Sequence, residues 1–363
     1  MPSDVHIRQF ELADQNALLA FLRLAYPGDP RKSDPALWRW QFLQNPYTTP
    51  DDIPLWVAKS GDIIVGQVAA MPVELKVGAQ QKRALWLVNY VVLPAYRRGL
   101  LAVRLLKASS HYCKTSLTLG YNEKTAVIIR RLKWKLLGNI HRYQILLFPG
   151  HAIKEIASYG GLRTLANLCY APWRPSLETL RPHHGGMIRA VTHFDASFTD
   201  LWQRAAVQWP CAVVRSAPFL EWQFMRQPGK KFDVLGYYEK DRLLGYVVLF
   251  FRKPEQSGVR PKAAISDLCY SPSEAQETID ELLKAALRLA LERRVGSLVT
   301  DVLDPQVEQR LRHFGFWPIR AAPSFGASVL EDEDFLYQRS NWFLTRADSD
   351  VSIFEQPNVC YPC

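Results

Sequence analysis

A ten-residue block occurs twice in this chain, and that repeat limits the fold more than any bulk property does. Leu37-Trp38-Arg39-Trp40-Gln41-Phe42-Leu43-Gln44-Asn45-Pro46 returns as Phe219-Leu220-Glu221-Trp222-Gln223-Phe224-Met225-Arg226-Gln227-Pro228, an offset of 182. Upstream, Ile7-Arg8 matches Ile188-Arg189, Asp14 matches Asp195 and Phe21 matches Trp202, each at 181. Downstream, Gly66 matches Gly245 at 179, Pro94 matches Pro272 at 178 and Trp134 matches Phe316 at 182. An offset this steady predicts a duplicated domain. What differs between the two copies should then carry the function.

Length and composition agree with two globular units. A chain of 363 residues exceeds one typical core. Its 48% hydrophobic and 22% charged content is that of a folded protein. The net charge of +10 is uneven: residues 1–150 hold 20 Lys+Arg against 10 Asp+Glu, so the first copy carries all of it. That excess predicts an anionic ligand there, although a solvated basic surface has the same composition. No stretch reaches the about 18 apolar residues of a membrane span. Met1-Pro2-Ser3-Asp4 lacks a secretory pattern, so a cytoplasmic location is expected. The eight histidines show no metal-ligand spacing. Cys360-Tyr361-Pro362-Cys363 lacks the second pair that a zinc site needs, and reads as an inert tail. No metal site is expected.

Along the first copy, Ile7–Phe10 reads as a strand and Asp14 as the N-cap of a helix through Leu18, Leu19, Phe21 and Leu22. A second helix holds Leu37, Trp38 and Phe42. Strands follow at Leu55–Ala58 and Ile63–Ala70, turned at Ser60-Gly61-Asp62, then at Val73–Val77 and Trp86–Leu93. After Pro94, Ala95-Tyr96-Arg97-Arg98-Gly99-Leu100-Leu101-Ala102 opens a helix. A strand at Leu117–Leu119, a helix from about Thr125 to Leu132 and a strand at Ile140–Phe148 close the copy. The strand-turn-helix around Pro94 is where chemistry can be argued. A helix N-terminus presents about four unpaired N–H groups and a partial positive charge. Here arginines stand beside it, and Asp and Glu are absent from its first turn, which suits a pyrophosphate.

These residues resemble the GNAT superfamily of N-acyltransferases. The family's loop motif stands as Val92-Leu93-Pro94-Ala95-Tyr96-Arg97-Arg98-Gly99-Leu100-Leu101-Ala102, and its later Asn-plus-helix landmark as Asn122 to Trp134. Two departures are visible. Leu100 occupies the family's glycine position, with Gly99 one place earlier, and Ile129 stands where many members carry a Tyr acid. The resemblance implies a mixed α/β (α+β) fold in two tandem GNAT-like domains, each a mostly antiparallel sheet flanked by helices. The expected limits are 1–149 for the acyl-CoA-binding copy, 150–186 for a connector with a helix around Ile153–Cys169, 187–346 for a degenerate second copy and 347–363 for a tail.

Acetyl-CoA or another acyl-CoA is the implied co-substrate. Its pantetheine arm would bond the backbone of Val91, Val92 and Leu93. Its pyrophosphate would lie on the N–H groups of Arg98, Gly99, Leu100, Leu101 and Ala102, with Arg97 adding charge. Asn122 would touch the arm from the other side. Candidates for the proton path are Asn89 or Tyr90 through water, Glu74, and Tyr121 as acid; packing or a solvated surface explains each of them as well. In the second copy, Ser273 and Gln276 read as a capping box, and Glu274 and Glu277 would repel a pyrophosphate.

The implied activity is acyl transfer to a small-molecule primary amine. The alternatives are a non-catalytic acyl-CoA-binding module, or action on protein lysine or RNA. The basic face of Lys124, Arg130, Arg131, Lys133 and Lys135 would serve RNA, yet a solvated face or the CoA 3′-phosphate accounts for it equally. A membrane partner is not expected, nucleic acid is the lesser reading, and the sequence sets no oligomeric state.

Overall fold

The computed structural model describes residues 5–49, 51–97, 99–152, 160–181, 185–252, 261–320, 322–329 and 334–354. In the first half the order is β1 (Val5–Gln9), α1 (Gln15–Ala25), α2 (Pro35–Phe42), β2 (Leu55–Ser60), β3 (Ile63–Val77), β4 (Gln80–Val92), α3 (Leu101–Ser110), β5 (Thr115–Leu119), α4 (Glu123–Arg131), β6 (Lys135–Asn139) and β7 (His141–Leu146). The connector carries a helix at Gly160–Tyr170. The second half repeats the theme: β8 (Met187–Val191), a helix Ala196–Ala205, β9 (Cys211–Val213), a short helix Ala217–Leu220 running into a π-helical turn Glu221–Met225, β10 (Phe232–Glu239), β11 (Arg242–Arg252), β12 (Lys262–Tyr270), a helix Ala275–Glu292, β13 (Ser297–Leu303), a helix Pro305–His313, β14 (Trp317–Ile319), β15 (Ser324–Val329) and β16 (Trp342–Thr345).

Local chemistry explains most of these elements. Asp34 caps α2 by accepting from Ala36 N and Leu37 N, with Pro35 in the first turn. Leu18, Leu19, Phe21 and Leu22 form the buried stripe of α1. Asp14 stands at the N-cap position of α1 but makes no cap bond, because its carboxylate is taken by Arg8 at 2.7 Å and by Glu11 N. Ile63–Ala70 and Val73–Val77 are one continuous strand through Pro72, not two. Gly66 and its counterpart Gly245 sit where a helix presses on the sheet. A Cβ at Gly66 would meet Leu105 at 3.0 Å, and one at Gly245 would meet Thr278 at 2.5 Å and the Cys269 carbonyl at 2.8 Å.

The sheet is mixed and mostly antiparallel, and it runs through both halves in the order β6-β15-β5-β4-β3-β9-β16-β13-β12-β11-β10-β8. β1 and β2 extend β3, while β7 and β14 extend β13. The parallel pairs are β4–β5, β12–β13 and β9–β16. The halves exchange strands. β15, from the second half, lies between β5 and β6. β7, from the first half, lies between β13 and β14.

The repeated blocks meet face to face at the junction. The Trp40 and Trp222 rings stack at 4.7 Å with 14° between their planes. Trp40 Nε1 donates to the Trp222 carbonyl at 2.8 Å, and Trp222 Nε1 donates to the Trp40 carbonyl at 2.9 Å. Both rings are buried in a core that gathers Leu18 and Met71 from one half with Cys211, Phe219 and Trp342 from the other. Trp222→Ala should therefore cost about 3–5 kcal/mol in urea unfolding. Trp222→Phe keeps an aromatic face but leaves a buried carbonyl without its donor, and should cost about 1–3 kcal/mol. A loss below about 1 kcal/mol for Trp222→Ala would remove this pair from its central place.

Candidate active site

In the first half, β4 and β5 pair only at Leu85–Ser116 and Trp86–Leu117, then diverge. The gap is a cleft of about 190 Å³. It is lined by Leu87 to Tyr90 of β4, Thr118 to Asn122 at the end of β5, Leu106 of α3, Thr125 and Ile129 of α4, and Trp134. Tyr26, Lys32 and Asp350 complete it.

A bulge in β4 shapes one wall. Gln67 pairs with Val91 and Ala69 with Val88, so Asn89 and Tyr90 together oppose Val68. Asn89 takes φ +49°, which asparagine tolerates better than most residues. Gln67 Nε2 holds the bulge by donating to the Asn89 carbonyl at 3.0 Å. On the side chain, Asn89 Oδ1 accepts from Lys32 Nζ at 2.6 Å. Tyr90 lines the cleft, and its buried hydroxyl has no partner among the described residues; burial raises its pKa.

Lys32 also lies 3.5 Å from Asp350, and its Nζ sits 5.6 Å from the centre of the Tyr26 ring. Burial pulls the Lys32 ammonium below the ordinary lysine range, against the opposing pull of Asp350 and Asp29. Tyr26 is raised by burial and by Asp350.

The other expected site residues fall in different places. Tyr121 lines the cleft, but its hydroxyl donates to the Phe325 carbonyl of β15 at 3.3 Å. The Asn122 side chain also reaches the cleft, and its oxygen caps α4 by accepting from Thr125 N at 2.9 Å. Glu74 is opposite Arg83 in the β3–β4 ladder, five residues from Ala69, so it stands about 15 Å along the strand from the bulge. Val91 and Val92 pair with Gln67 and Gly66, and Leu93 N bonds the Val65 carbonyl. The Val92 carbonyl accepts from Arg97 Nε at 2.8 Å. Gly99 takes φ +103° in the turn before α3, and Leu100, Leu101 and Ala102 open the helix with no side-chain cap and no acid in the first turn. Arg98 lies outside the described residues, as do His183, His184 and the C-terminal Cys pair.

Sequence reasoning missed Lys32, Tyr26 and Asp350. Lys32 lies in a short turn after α1, and Asp350 follows β16 in the segment expected to be a tail. That segment is buried through Ser349, Val351 and Ile353. No periodicity marks either residue, because three-dimensional contact between the halves unites them.

The corresponding gap in the second half is filled. β12 and β13 pair from Lys262 to Ile265, and β16 then joins β13 at Val302 and Leu303. Arg215, fully buried, lies 3.1 Å from Asp267 and 2.9 Å from Asp348. Thr345 Oγ1 and the Tyr246 hydroxyl each donate to Asp267 at 2.7 Å. Burial works against the Arg215 charge, but Asp267 and Asp348 hold it well above its usual pKa. Burial pushes Asp348 up to about 6 despite Arg215. At the following helix the expected Ser273–Gln276 capping box does not form. Ser273 sits in the preceding turn, one residue too early, with its hydroxyl 3.1 Å from Ser271, and Glu274 occupies the N-cap. Glu277 stays in the first turn, accepting from Tyr237 at 3.3 Å. His141 joins Glu308 at 2.7 Å and Arg339 and does not line the first-half cleft.

The model of the acetyltransferase (GNAT) domain matches residues 6–130, and those residues are a GNAT domain. Three solved structures share the fold. A GCN5-related N-acetyltransferase from Anabaena variabilis is 13% identical, with a TM-score of 0.61 over 90% of this chain and 73% of its own. A conserved Enterococcus faecalis protein, described as a probable N-acyltransferase, is 12% identical, with 0.62 over 92% and 75%. Saccharomyces cerevisiae N-myristoyltransferase, solved with myristoyl-CoA, is 11% identical, with 0.60 over 90% and 83%. No curated protein matches the chain in sequence. The GNAT domain supports an acyl-CoA-dependent acyltransferase as the class of activity. Among the described residues no cluster could hold a metal ion, and no helix is long and apolar enough to cross a membrane.

The filled gap makes a prediction about stability. Arg215→Leu leaves Asp267 and Asp348 buried without their cation and should cost about 3–5 kcal/mol. Asp348, which burial already raises, would then stand further above its unfolded value. Protonation relieves that burden, so the deficit should be larger at pH 8 than at pH 5. Urea unfolding at both pH values checks the size and the sign.

Proposed function

We propose that the chain is an acyl-CoA-dependent N-acyltransferase whose first half binds the thioester and whose acceptor is a small-molecule primary amine. The single supporting observation is the open, bulged cleft between β4 and β5, next to the uncapped, acid-free start of α3. The pantetheine arm would run along Val91 to Leu93 into the cleft, with Arg97 leaving the Val92 carbonyl to meet the diphosphate. The diphosphate would rest on the N–H groups from Arg98 to Ala102.

Catalysis in this reading is direct attack, with no covalent enzyme intermediate. The contributions are proximity, polarisation of the thioester carbonyl by backbone near the Asn89 bulge, and loss of a proton from the amine. A thiolate is a good leaving group, so the absence of a tyrosine at Ile129 is tolerable. The second half would serve as scaffold and as a wall of the acceptor site, its own gap being closed by Arg215 and its partners. A cytoplasmic setting, where acyl-CoA is supplied, belongs to the same reading.

Calorimetry with acetyl-CoA should give one site per chain. Arg97→Glu should weaken it about tenfold or more by reversing charge beside the diphosphate. Two sites per chain, or no binding, would overturn the assignment. Tyr121→Phe should leave turnover within about threefold of wild type, because that hydroxyl is committed to the Phe325 carbonyl.

A further inference from the structure

The Lys32–Asp350 pair in the cleft has a counterpart in the filled gap. Asn89 and Asp267 are related by the same offset of 178 as Pro94 and Pro272. Both strands bulge there, β12 between its pairings at Ile265 and Asp267. Lys32 and Arg215 each stand just before the cap of the repeated helix, and each reaches that position on the bulged strand, Lys32 to Asn89 and Arg215 to Asp267. One short segment serves both cations: Asp348 goes to Arg215 and Asp350 goes to Lys32. The second half therefore sets two carboxylates around its cation. The first half has a neutral amide in place of one of them.

The segment is fixed on both sides of Asp350. Thr345 N donates to Asp348 at 2.6 Å and Arg346 Nη1 donates to Asp301 at 2.8 Å. Ser349 is fully buried, and Val351 and Ile353 sit in the core with Trp40. The carboxylate is thus held at the cleft with about 15% of its side chain exposed. Among the described residues lining the cleft, it is the one carboxylate. A primary amine arrives at neutral pH as an ammonium and has no lone pair to attack with until it loses a proton.

We infer that Asp350, delivered by the second half, docks a cationic primary amine in the first half's cleft and accepts its proton. This rests on the acyltransferase reading. The ammonium N–H proton passes to the carboxylate and leaves the nitrogen its lone pair. The C–N bond forms as the nitrogen adds to the thioester carbonyl. The C–S bond then breaks, the thiolate leaves with the electron pair, and the nitrogen's second proton goes to sulfur. Asp350 returns its proton to solvent. Lys32 supplies the counter-charge that lets a carboxylate stand in so buried a place.

The test compares wild type, Asp350→Asn and Asp350→Glu, with acetyl-CoA and two kinds of nucleophile. Ethanolamine, n-butylamine and cadaverine are cations at neutral pH; hydroxylamine is largely uncharged and needs no base to free its lone pair. Asp350→Asn should cut amine-dependent thiol release about 100-fold or more. It should leave acetyl-CoA affinity and the hydroxylamine reaction near wild type at a temperature below its thermal midpoint, which falls because the buried Lys32 loses its partner, and Asp350→Glu should recover part of the amine rate. Equal loss with both kinds of nucleophile would assign Asp350 a structural role and overturn the inference. So would an undiminished amine rate in Asp350→Asn, or a wild type that binds acetyl-CoA and acylates none of the amines. Failure of the acyltransferase reading itself would look different: no acetyl-CoA binding in any of the three proteins.

Discussion

The stacked pair of Trp40 and Trp222 sets the geometry on which the rest of the molecule depends. Each indole donates to the other's main-chain carbonyl, so each residue is donor, acceptor and stacking face at once. Two equal partners can satisfy that exchange only across an approximate two-fold axis, as in an isologous interface between subunits. With the repeated helices locked this way, β9 is brought onto β3 and β16 onto both β9 and β13. The sheet then runs unbroken from one half into the other. Strand exchange extends the same logic: with β15 between β5 and β6, and β7 between β13 and β14, each half closes its sheet with the other's backbone. Neither half has a complete ladder alone.

Symmetry of architecture makes the asymmetry of the two gaps informative. Both arise where a parallel strand pair diverges at a bulge. In the second half the gap takes β16, a buried arginine and two carboxylates. In the first half the same region keeps a cleft. The helix starts differ in the same sense, since α3 has no acid in its first turn while the helix at Ala275 carries Glu277, with Glu274 as its N-cap. One half has the features that suit an anionic thioester ligand, and the other has spent them on packing.

Much of this was legible in the sequence, and for identifiable reasons. The repeated Trp-Gln-Phe block, the hairpin at Gly61 and the loop after Pro94 are local signals, written within a few residues of the structure they specify. Asn89, Tyr90, Tyr121 and Asn122 could be nominated because strand ends next to a turn are easy to place, and all four line the cleft. Glu74 was nominated on chemistry alone, and the ladder carries it to the far end of the hairpin. The Ser273 capping box failed on a one-residue shift that no pattern announces. Strand exchange and the Lys32–Asp350 pair were beyond reach, because each depends on contacts between residues more than 150 positions apart.

The buried ion network of the second half raises a last question of energetics. Fully buried Arg–Asp pairs contribute little net stability, because desolvation offsets most of the attraction, and apolar replacements of similar volume are often as stable. Arg215, Asp267 and Asp348 therefore have a weak claim to be present for stability alone. Directional bonds offer what apolar packing does not: they fix the chain at one register. Thr345 and Arg346 are bonded in the same knot, and Asp350 lies two residues beyond Asp348. A slip of one residue in this segment would part Asp348 from Arg215 and Arg346 from Asp301, and would move Asp350 out of the cleft as well. The degenerate gap thus holds the C-terminal segment in the one register that completes the open one, which gives a half without a cleft of its own a reason to keep its costly charges.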